Sequence, residues 1–546
     1  MNLKTTRVVE QYILPLLLVV FAFLFCLYSG RRGIHPLDQP IVFDGAFRIL
    51  SGQILYGDFQ APVGPVTFLL QAFFFQIFGI SWNTMIATAA VCNVIAAILV
   101  TRIVYIFTDK SRFYAYTAGF LTAVWFYPPF GTVYMEQTAF LFGLGSIWGI
   151  LESSINKREF IKRSLQIIAG VSIALAILSK QNIGIFLLLP LAFVFFSTWR
   201  NARESIFTLV SVLLGVLIPM LVFGFSLYSS DTFNLFRLYV LEIPSDLGFR
   251  RLLNISRIMQ RYSTPIYISF IAAFLLLMNF AIILFRKITQ ESRKSVFAAL
   301  ISINLVIAQQ LSILSARNQA ENYLGLIGLI IGLTFAFFQD LFTPFFVWAA
   351  KLFNKDSLNS SEQGRFKFYN IGVILISGVI FILGFKVSTS RVVHDYFANA
   401  DFKDSLQIPG MEWVRWGPQN IQGQSVEAGD VEGVYQYLLE TGEQFIVFPE
   451  YAFFNGILGN PSSLPLLWFH KGLTFTNSNQ SLIDEMIVDG LVENENKIIV
   501  LNSAGTPGSE SLLSEFKLFN RTIEEDYELA ATFGIFQIYQ LKNSIN

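Results

Sequence analysis

The sequence predicts a polytopic α-helical membrane protein with about eleven transmembrane helices and a C-terminal soluble α/β domain. Of its 546 residues, 54% are hydrophobic and only 14% are charged, whereas a soluble globular domain carries about 25% charged residues. Apolar runs recur as far as residue 388, and charged residues become frequent after it. We therefore expect a membrane region over residues 1–388 and a soluble domain over residues 389–546.

Candidate transmembrane segments are apolar runs that come close to the roughly 20 residues needed to cross a bilayer. They are 10–29, 83–107, 113–130, 137–152, 164–180, 183–199, 205–228, 263–286, 295–314, 322–339 and 369–388. Segment 64–79 is ambiguous, because it could cross the bilayer or lie in the interface as an amphipathic helix.

The distribution of basic residues decides between these two placements. If 64–79 lies in the interface, the basic loops 109–112, 157–163, 200–203 and 286–294 all fall on one side of the membrane. Short basic loops mark the cytoplasmic side. This predicts a cytoplasmic N-terminus in the cytoplasmic (inner) membrane, a first outer loop over 30–82 with interfacial helices, and a periplasmic or extracellular C-terminal domain.

Within the C-terminal domain, strand-like runs at 444–448, 497–501 and 533–539 alternate with helical stretches, which favours a small α/β layer. Lys plus Arg and Asp plus Glu both number 38, a balance that argues against a nucleic-acid-binding protein. The two cysteines fall in apolar runs, so no disulfide framework is predicted.

The predicted outer face holds the residues that suit chemistry. Asp44 and Arg48 lie four residues apart on one face of a loop helix, and the simpler alternative is an incidental ion pair on a solvated helix. Glu136 stands where the chain re-enters the membrane, where a carboxylate is costly without a partner or a function. Its alternative is an acidic residue that a helix N-terminus favours.

Several cations are predicted on the same face. Lys180, followed by Gln181, could bind an anionic group, or its side chain could simply reach water. Arg317 could grip a phosphate with its guanidinium, or pair with Glu321. Loop 229–262 adds further arginines, among them Arg250 and Arg257.

Short motifs in a fixed order carry a family resemblance. They are Asp44 on a loop helix, the run Gly52-Gln53-Ile54-Leu55-Tyr56-Gly57-Asp58-Phe59, Gly64-Pro65 before an aromatic helix, Glu136, Ser179-Lys180-Gln181, Asn322-Tyr323 and Phe448-Pro449-Glu450. In order and spacing the chain resembles the multi-span GT-C glycosyltransferases. More narrowly, it resembles the bacterial family 39 and aminoarabinose-transferase-like group.

The resemblance implies transfer of a sugar from a polyprenyl-phosphate donor to an acceptor of unknown identity. Asp44 is then the expected general base, and Glu136 is expected to orient the acceptor or to complete a pair with Asp44 around it. The expected phosphate ligands are Lys180, Arg317, Arg250 and Arg257. The expected substrate-binding residues are Arg48, Tyr56, Asp58, Gln181, Asn322 and Tyr323.

The chain departs from the aminoarabinose transferases at residues 60–65. Those proteins carry a lysine before a proline there, whereas this chain reads Gln-Ala-Pro-Val-Gly-Pro, which weakens an assignment to lipid A modification. No metal site is predicted, although His35, Asp38, Asp44 and Glu136 could offer ligands and leave a divalent cation as an alternative.

Two other functions compete with the enzyme. One is a transporter or flippase of a lipid-linked substrate, and the other is a non-catalytic partner in envelope polysaccharide assembly. A transporter needs polar groups near the middle of the bilayer and often has repeated halves. Here the polar residues gather at the predicted outer ends of the spans, and no internal repeat is visible. This pattern favours the enzyme.

Overall fold

The computed structural model describes residues 12–108, 111–199, 201–254, 266–285, 293–315, 324–336, 362–390, 401–421, 424–502 and 512–542. In these ranges the chain up to residue 390 forms helices, and the first described strand begins at Asp404. The predicted fold class, a helical membrane region followed by a mixed α/β region, is therefore confirmed.

The membrane region consists of helices joined mostly by short turns. They are α1 Leu14–Gly30, α2 Asp38–Leu50, α3 Val66–Phe78, α4 Trp82–Phe107, α5 Arg112–Trp125, α6 Met135–Ile155, α7 Glu159–Ser179, α8 Gln181–Phe186, α9 Leu188–Ser197, α10 Ala202–Ser229, α11 Phe233–Phe236, α12 Ile243–Leu253, α13 Ile266–Phe285, α14 Arg293–Ser315, α15 Leu324–Ala336 and α16 Glu362–Ser390. A π-helical segment, Arg237–Glu242, lies between α11 and α12.

Six of the described helices are long and apolar enough to cross a bilayer: α4, α6, α7, α10, α14 and the part of α16 from residue 372. Shorter apolar helices accompany them, including α1, α15 and the α8–α9 pair. The protein is therefore a multi-pass membrane protein, and the number of eleven spans stays a prediction.

The predicted span 183–199 is broken into α8 and α9 at Leu187. Pro190 explains the break, because it has no N–H to donate to the carbonyl of Phe186 and its ring crowds that carbonyl. The break leaves α8 as a short helix directly after Lys180.

Helix α3 corresponds to the ambiguous segment 64–79. Its 13 residues extend roughly 20 Å, which is less than the roughly 30 Å hydrocarbon core. Leu69, Phe73 and Ile77 form an exposed apolar stripe, while Phe68 and Phe75 on the other side are buried. These features favour the interfacial placement that the basic loops predict.

A buried asparagine joins three helices inside the membrane region. The Asn93 amide of α4 donates to the carbonyls of Ala22 in α1 (3.0 Å) and Ala123 in α5 (2.9 Å). Its oxygen accepts from the backbone N–H of Tyr127 at 3.3 Å. Polar contacts of this kind fix the packing of helices where lipid supplies no hydrophobic driving force between them.

The C-terminal region adds a four-stranded sheet and two two-stranded pairs. Its elements are β1 Asp404–Ser405, β2 Arg415–Trp416, β3 Gln419–Ile421, β4 Gln424–Val426, α17 Ala428–Thr441, β5 Phe445–Phe448, α18 Phe453–Leu458, α19 Gln480–Glu493, β6 Ile498–Asn502, α20 Leu512–Glu515, α21 Lys517–Asp526, β7 Tyr527–Phe533 and β8 Phe536–Leu541. The sheet order is β5-β6-β8-β7, with β5 and β6 parallel and the other pairs antiparallel.

The predicted strand 533–539 differs from the structure. Gly534, at φ +53°, and Ile535 form a two-residue turn, so this stretch is the tip of the β7–β8 hairpin and the beginning of β8. The aromatic and β-branched residues on both sides of the turn explain why the pattern resembles one continuous strand.

Replacing Asn93 with leucine is expected to weaken the packing of α1, α4 and α5. The change removes three hydrogen bonds, and polar contacts between membrane helices contribute about 0.6 kcal/mol each, so the total loss is roughly 2 kcal/mol. Thermal unfolding in detergent measures this loss. Ile98→Leu on the exposed side of α4 is the control, and an Asn93→Leu protein as stable as this control would contradict the prediction.

Candidate functional site

Asp44 and Arg48 form a buried ion pair on α2. The Arg48 Nε donates to Asp44 Oδ2 at 2.8 Å, and both side chains are almost fully withdrawn from solvent. The Arg48 Nη1 donates to the carbonyl of Leu464 at 2.7 Å, and its guanidinium lies over the ring of Phe59. The i,i+4 spacing thus produces a buried pair rather than a solvated one.

The second oxygen of Asp44 is bonded by the C-terminal region. The Asn455 Nδ2 donates to Asp44 Oδ1 at 3.2 Å, although the two residues lie 411 positions apart. Burial raises the pKa of the Asp44 carboxyl above its usual range, while the charge of Arg48 and the Asn455 amide act against that rise. Asn455 is a site residue that sequence reasoning missed, since nothing local links it to Asp44.

The C-terminal region is fastened to the first outer loop on both sides of Asp44. The backbone of Gln60 exchanges hydrogen bonds with Pro465 (2.8 Å) and Leu467 (3.1 Å). On the other side, the backbone N–H of Tyr451 donates to the carbonyl of Pro36 at 2.9 Å. The partners of the Asp44–Arg48 pair are therefore held by backbone contacts as well.

Glu136 and Lys180 form a second ion pair. The Lys180 Nζ lies 3.2 Å from Glu136 Oε1, and the carboxylate is buried while the lysine side chain is 21% exposed. Glu136 occupies the first turn of α6, where the helix dipole favours an acid. Lys180 has extended backbone at the junction of α7 and α8.

The residues after Lys180 connect three segments that are distant in the sequence. The Gln181 Nε2 donates to the carbonyls of Pro62 (3.1 Å) and Val240 (2.8 Å). The Asn182 Nδ2 donates to the Ser315 hydroxyl at 2.7 Å. The amide of Gln181, predicted to bind substrate, is thus used to join the first outer loop to the π-helical segment beside Lys180.

The first outer loop also reaches the residues around Glu136 and Lys180 directly. A Cβ at Gly64 would lie 2.0 Å from the carbonyl oxygen of Leu178, so only glycine permits this approach. At the start of α2, the Gln39 amide donates to the carbonyl of Phe130 at 2.7 Å, six residues before Glu136. The structure therefore gathers the elements that carry Asp44, Glu136 and Lys180 at one end of the molecule.

Three other predicted site residues bond groups that lie close to them in the sequence. Tyr56 is buried, and its hydroxyl donates to the carbonyl of Val63 at 2.6 Å. Asp58 is exposed and accepts from the backbone N–H of Ile54 at 2.6 Å. Arg250 is exposed and pairs with Asp246. Arg317, Arg257, Asn322 and Tyr323 lie outside the described residues.

Metal ligands are not clustered in the part of the chain that the structure describes. No group of three or more His, Cys, Asp or Glu side chains there could hold a metal ion. Of the acids considered above, Asp44 bonds Arg48 and Glu136 contacts Lys180, while the His35 ring stacks on Phe130 at 5.7 Å.

Comparisons with known proteins agree with this architecture. Residues 61–223 match the model of the dolichyl-phosphate-mannose-protein mannosyltransferase family. The chain is similar to ArnT from Cupriavidus metallidurans bound to undecaprenyl phosphate, with a TM-score of 0.55 and 11% identity over 98% of this chain and 99% of that one. For apo ArnT the TM-score is 0.54 and the identity 13%, over 96% and 97% of the chains.

No curated protein sequence matches the chain significantly. The structural likeness nevertheless extends over nearly the full length of both chains, so the chain has the GT-C fold of membrane glycosyltransferases. The fold implied by the sequence resemblance is confirmed. The family match and the fold together support a glycosyltransferase.

Removing Arg48 is expected to destabilise the protein in a pH-dependent way. Arg48→Met leaves a buried carboxylate unpaired, at a cost of about 3–5 kcal/mol. The pKa of Asp44 then rises further above its unfolded value, so the loss grows as pH rises and shrinks as the carboxyl protonates at low pH. Thermal unfolding in detergent at pH 5 and pH 8 measures this difference from wild type.

The double variant Asp44→Asn/Arg48→Met is the control for that experiment, because it removes both charges together. It should be more stable at pH 8 than Arg48→Met alone, and its deficit should not change with pH. Equal, pH-independent deficits in the two variants would contradict the energetic importance of the pair.

Proposed function

We propose that this protein transfers a sugar from a polyprenyl-phosphate donor to an acceptor at the outer face of the cytoplasmic membrane. The observation that carries the proposal is the clustering, at one end of a GT-C fold, of elements bearing a buried carboxylate, Asp44, and a partly exposed cation, Lys180. The similar ArnT structure binds undecaprenyl phosphate, which supports a donor of this class.

The chemistry follows from the charges. An acceptor hydroxyl attacks the anomeric carbon while Asp44 takes its proton. The bond between the anomeric carbon and the phosphate oxygen breaks, and the phosphate leaves with the electron pair. Lys180 stabilises the negative charge that develops on the phosphate, so the leaving group needs no protonating acid.

The other residues of the site position these two groups. Arg48 and Asn455 hold the Asp44 carboxylate from opposite oxygens, and a carboxylate retains further lone pairs for an acceptor proton. Glu136 holds Lys180 until the donor phosphate competes for its ammonium. Arg48, Asn455 and Glu136 are thus positioning residues, whereas Asp44 and Lys180 contact the reacting groups.

The proposed topology is the one that the basic loops predict. The N-terminus is cytoplasmic, residues 1–388 form the membrane-embedded catalytic region, and residues 389–546 form a domain on the outer side. The contacts of Asn455 and Leu464 with the Asp44–Arg48 pair support this arrangement, because they require the first outer loop and the C-terminal region on the same side.

Asp44→Asn and Lys180→Met are each expected to reduce sugar transfer at least ~100-fold, the scale of losing a general base or a charge-stabilising group. The assay reconstitutes purified protein with radiolabelled undecaprenyl-phosphate mannose, glucose or arabinose, and follows label into an envelope extract. Asp489→Asn and Lys517→Met, at exposed positions of the C-terminal region, are the matched controls.

Retained transfer by Asp44→Asn would remove Asp44 as the base. If wild type transfers no sugar from any of these donors but moves a labelled donor across the liposome membrane, the protein is a transporter instead.

Asn455→Leu is expected to move the acid limb of the kcat/KM profile upward by about one pH unit. The Asn455 amide stabilises the ionised form of Asp44, so its loss raises the pKa of the base, and activity is then lost at a higher pH. Asn460→Leu is the matched control, since that buried amide donates to the carbonyl of Phe445 instead. An unmoved limb would mean that Asn455 does not tune the base.

A further inference from the structure

Helix α3 carries a polar stripe that nothing in the described structure satisfies. Thr67 and Gln71 lie one turn apart, and both are completely buried. Neither the Thr67 hydroxyl nor either polar atom of the Gln71 amide has a hydrogen-bond partner among the described residues. Buried polar side chains are bonded in the large majority of cases, so this stripe calls for an external partner.

The stripe does not serve solubility. An interfacial helix normally turns its apolar face to the membrane and its polar face to water. In helix α3 the exposed apolar stripe of Leu69, Phe73 and Ile77 fits the membrane, but Thr67 and Gln71 are buried in the protein instead of facing water. Its polar side chains therefore lie inside the protein, where they add to the cost of folding unless a ligand bonds them.

The position of the stripe relates it to the proposed site. Phe68 packs against Gly45, and the ring of Phe75 contacts that of Phe43 with centroids 5.0 Å apart. These two contacts lie on either side of Asp44, and Gln71 is one turn from both phenylalanines. Gln71 is therefore level with Asp44 along α3.

The other end of the stripe lies near the segment that leads into Lys180. Thr67 is three residues after Gly64, which abuts the carbonyl of Leu178 two residues before Lys180. Helix α3 packs on α2 and on α7, which bear Asp44 and lead into Lys180 respectively. The stripe thus runs between the elements that carry the proposed base and the proposed phosphate ligand.

We propose that Thr67 and Gln71 form a subsite for the hydroxyl groups of the sugar carried by the donor lipid. The inference rests on the proposed function for the class of donor. An amide and a hydroxyl are neutral and offer both donors and acceptors, which suits sugar hydroxyls, whereas a phosphate requires cations. The transferred sugar must lie between the leaving phosphate and the attacking hydroxyl, which matches the position of the stripe between the Lys180 and Asp44 elements.

The test compares binding of undecaprenyl-phosphate mannose and undecaprenyl-phosphate glucose with binding of undecaprenyl phosphate, using the full-length protein in nanodiscs. Wild type should bind at least one sugar-bearing lipid more tightly than the bare lipid phosphate. Gln71→Leu and Thr67→Val should each weaken the binding of that lipid at least ~10-fold, the scale of one lost hydrogen bond. Binding of the bare lipid should stay within about twofold.

Thermal unfolding of the ligand-free protein provides the second measurement. Because the Gln71 amide has no partner among the described residues, Gln71→Leu should leave the Tm unchanged or raise it. Gln166→Leu is the matched control, since that buried glutamine donates to the Thr208 hydroxyl at 3.0 Å and accepts from Arg163. Its Tm should fall, and its preference for the sugar-bearing lipid should be retained.

Three results would overturn the subsite. The first is a fall in the Tm of Gln71→Leu together with weaker binding of both the sugar-bearing and the bare lipid. The second is equal binding of the two lipids by wild type. The third is a change in the KM for the acceptor alone. A different result separates the two proposals. If wild type transfers no sugar yet shows a Gln71-dependent preference for a sugar-bearing lipid, the transferase proposal fails and the subsite stands.

Discussion

The buried Asp44–Arg48 pair is the interaction on which the outer part of the structure depends. Two charges withdrawn from water need partners for their remaining hydrogen-bonding groups, or the pair destabilises the fold. Here the carbonyl of Leu464 serves the guanidinium and the amide of Asn455 serves the carboxylate. The first outer loop therefore depends on the docked C-terminal region to satisfy the hydrogen-bonding groups of its buried ion pair.

The second ion pair follows a different physical logic. Glu136 is buried, but the side chain of Lys180 retains partial access to solvent. Gln181 and Asn182 anchor the turn to three separate segments. We expect Lys180 to exchange Glu136 for another anion at a small cost in folding free energy. Separating Arg48 from Asp44 would cost more, because both charges are buried.

The sequence predicted most of the helices, the i,i+4 relation of Asp44 and Arg48, and the α/β character of the C-terminal region, because these depend on periodicity within short segments. It could not predict Asn455 or the carbonyl of Leu464, since both meet α2 through tertiary docking across more than 400 residues. The substrate role that it assigned to Gln181 stays a prediction, but it could not foresee that the amide nitrogen bonds the carbonyls of Pro62 and Val240, because a polar residue at a helix end has the same local pattern in either role.

Two carboxylates in one outer cluster can take different roles when their surroundings differ. Asp44 is bonded at both oxygens by buried side chains, which orient it, and burial favours its protonated form where Arg48 and Asn455 do not oppose it. Glu136 instead faces a partly exposed lysine, the proposed phosphate ligand. A phosphate arriving at Lys180 would therefore weaken the Glu136 contact and leave the Asp44 carboxylate in place. This difference is the physical reason for assigning proton transfer to Asp44 and phosphate binding, by a change of ion-pair partner, to Lys180.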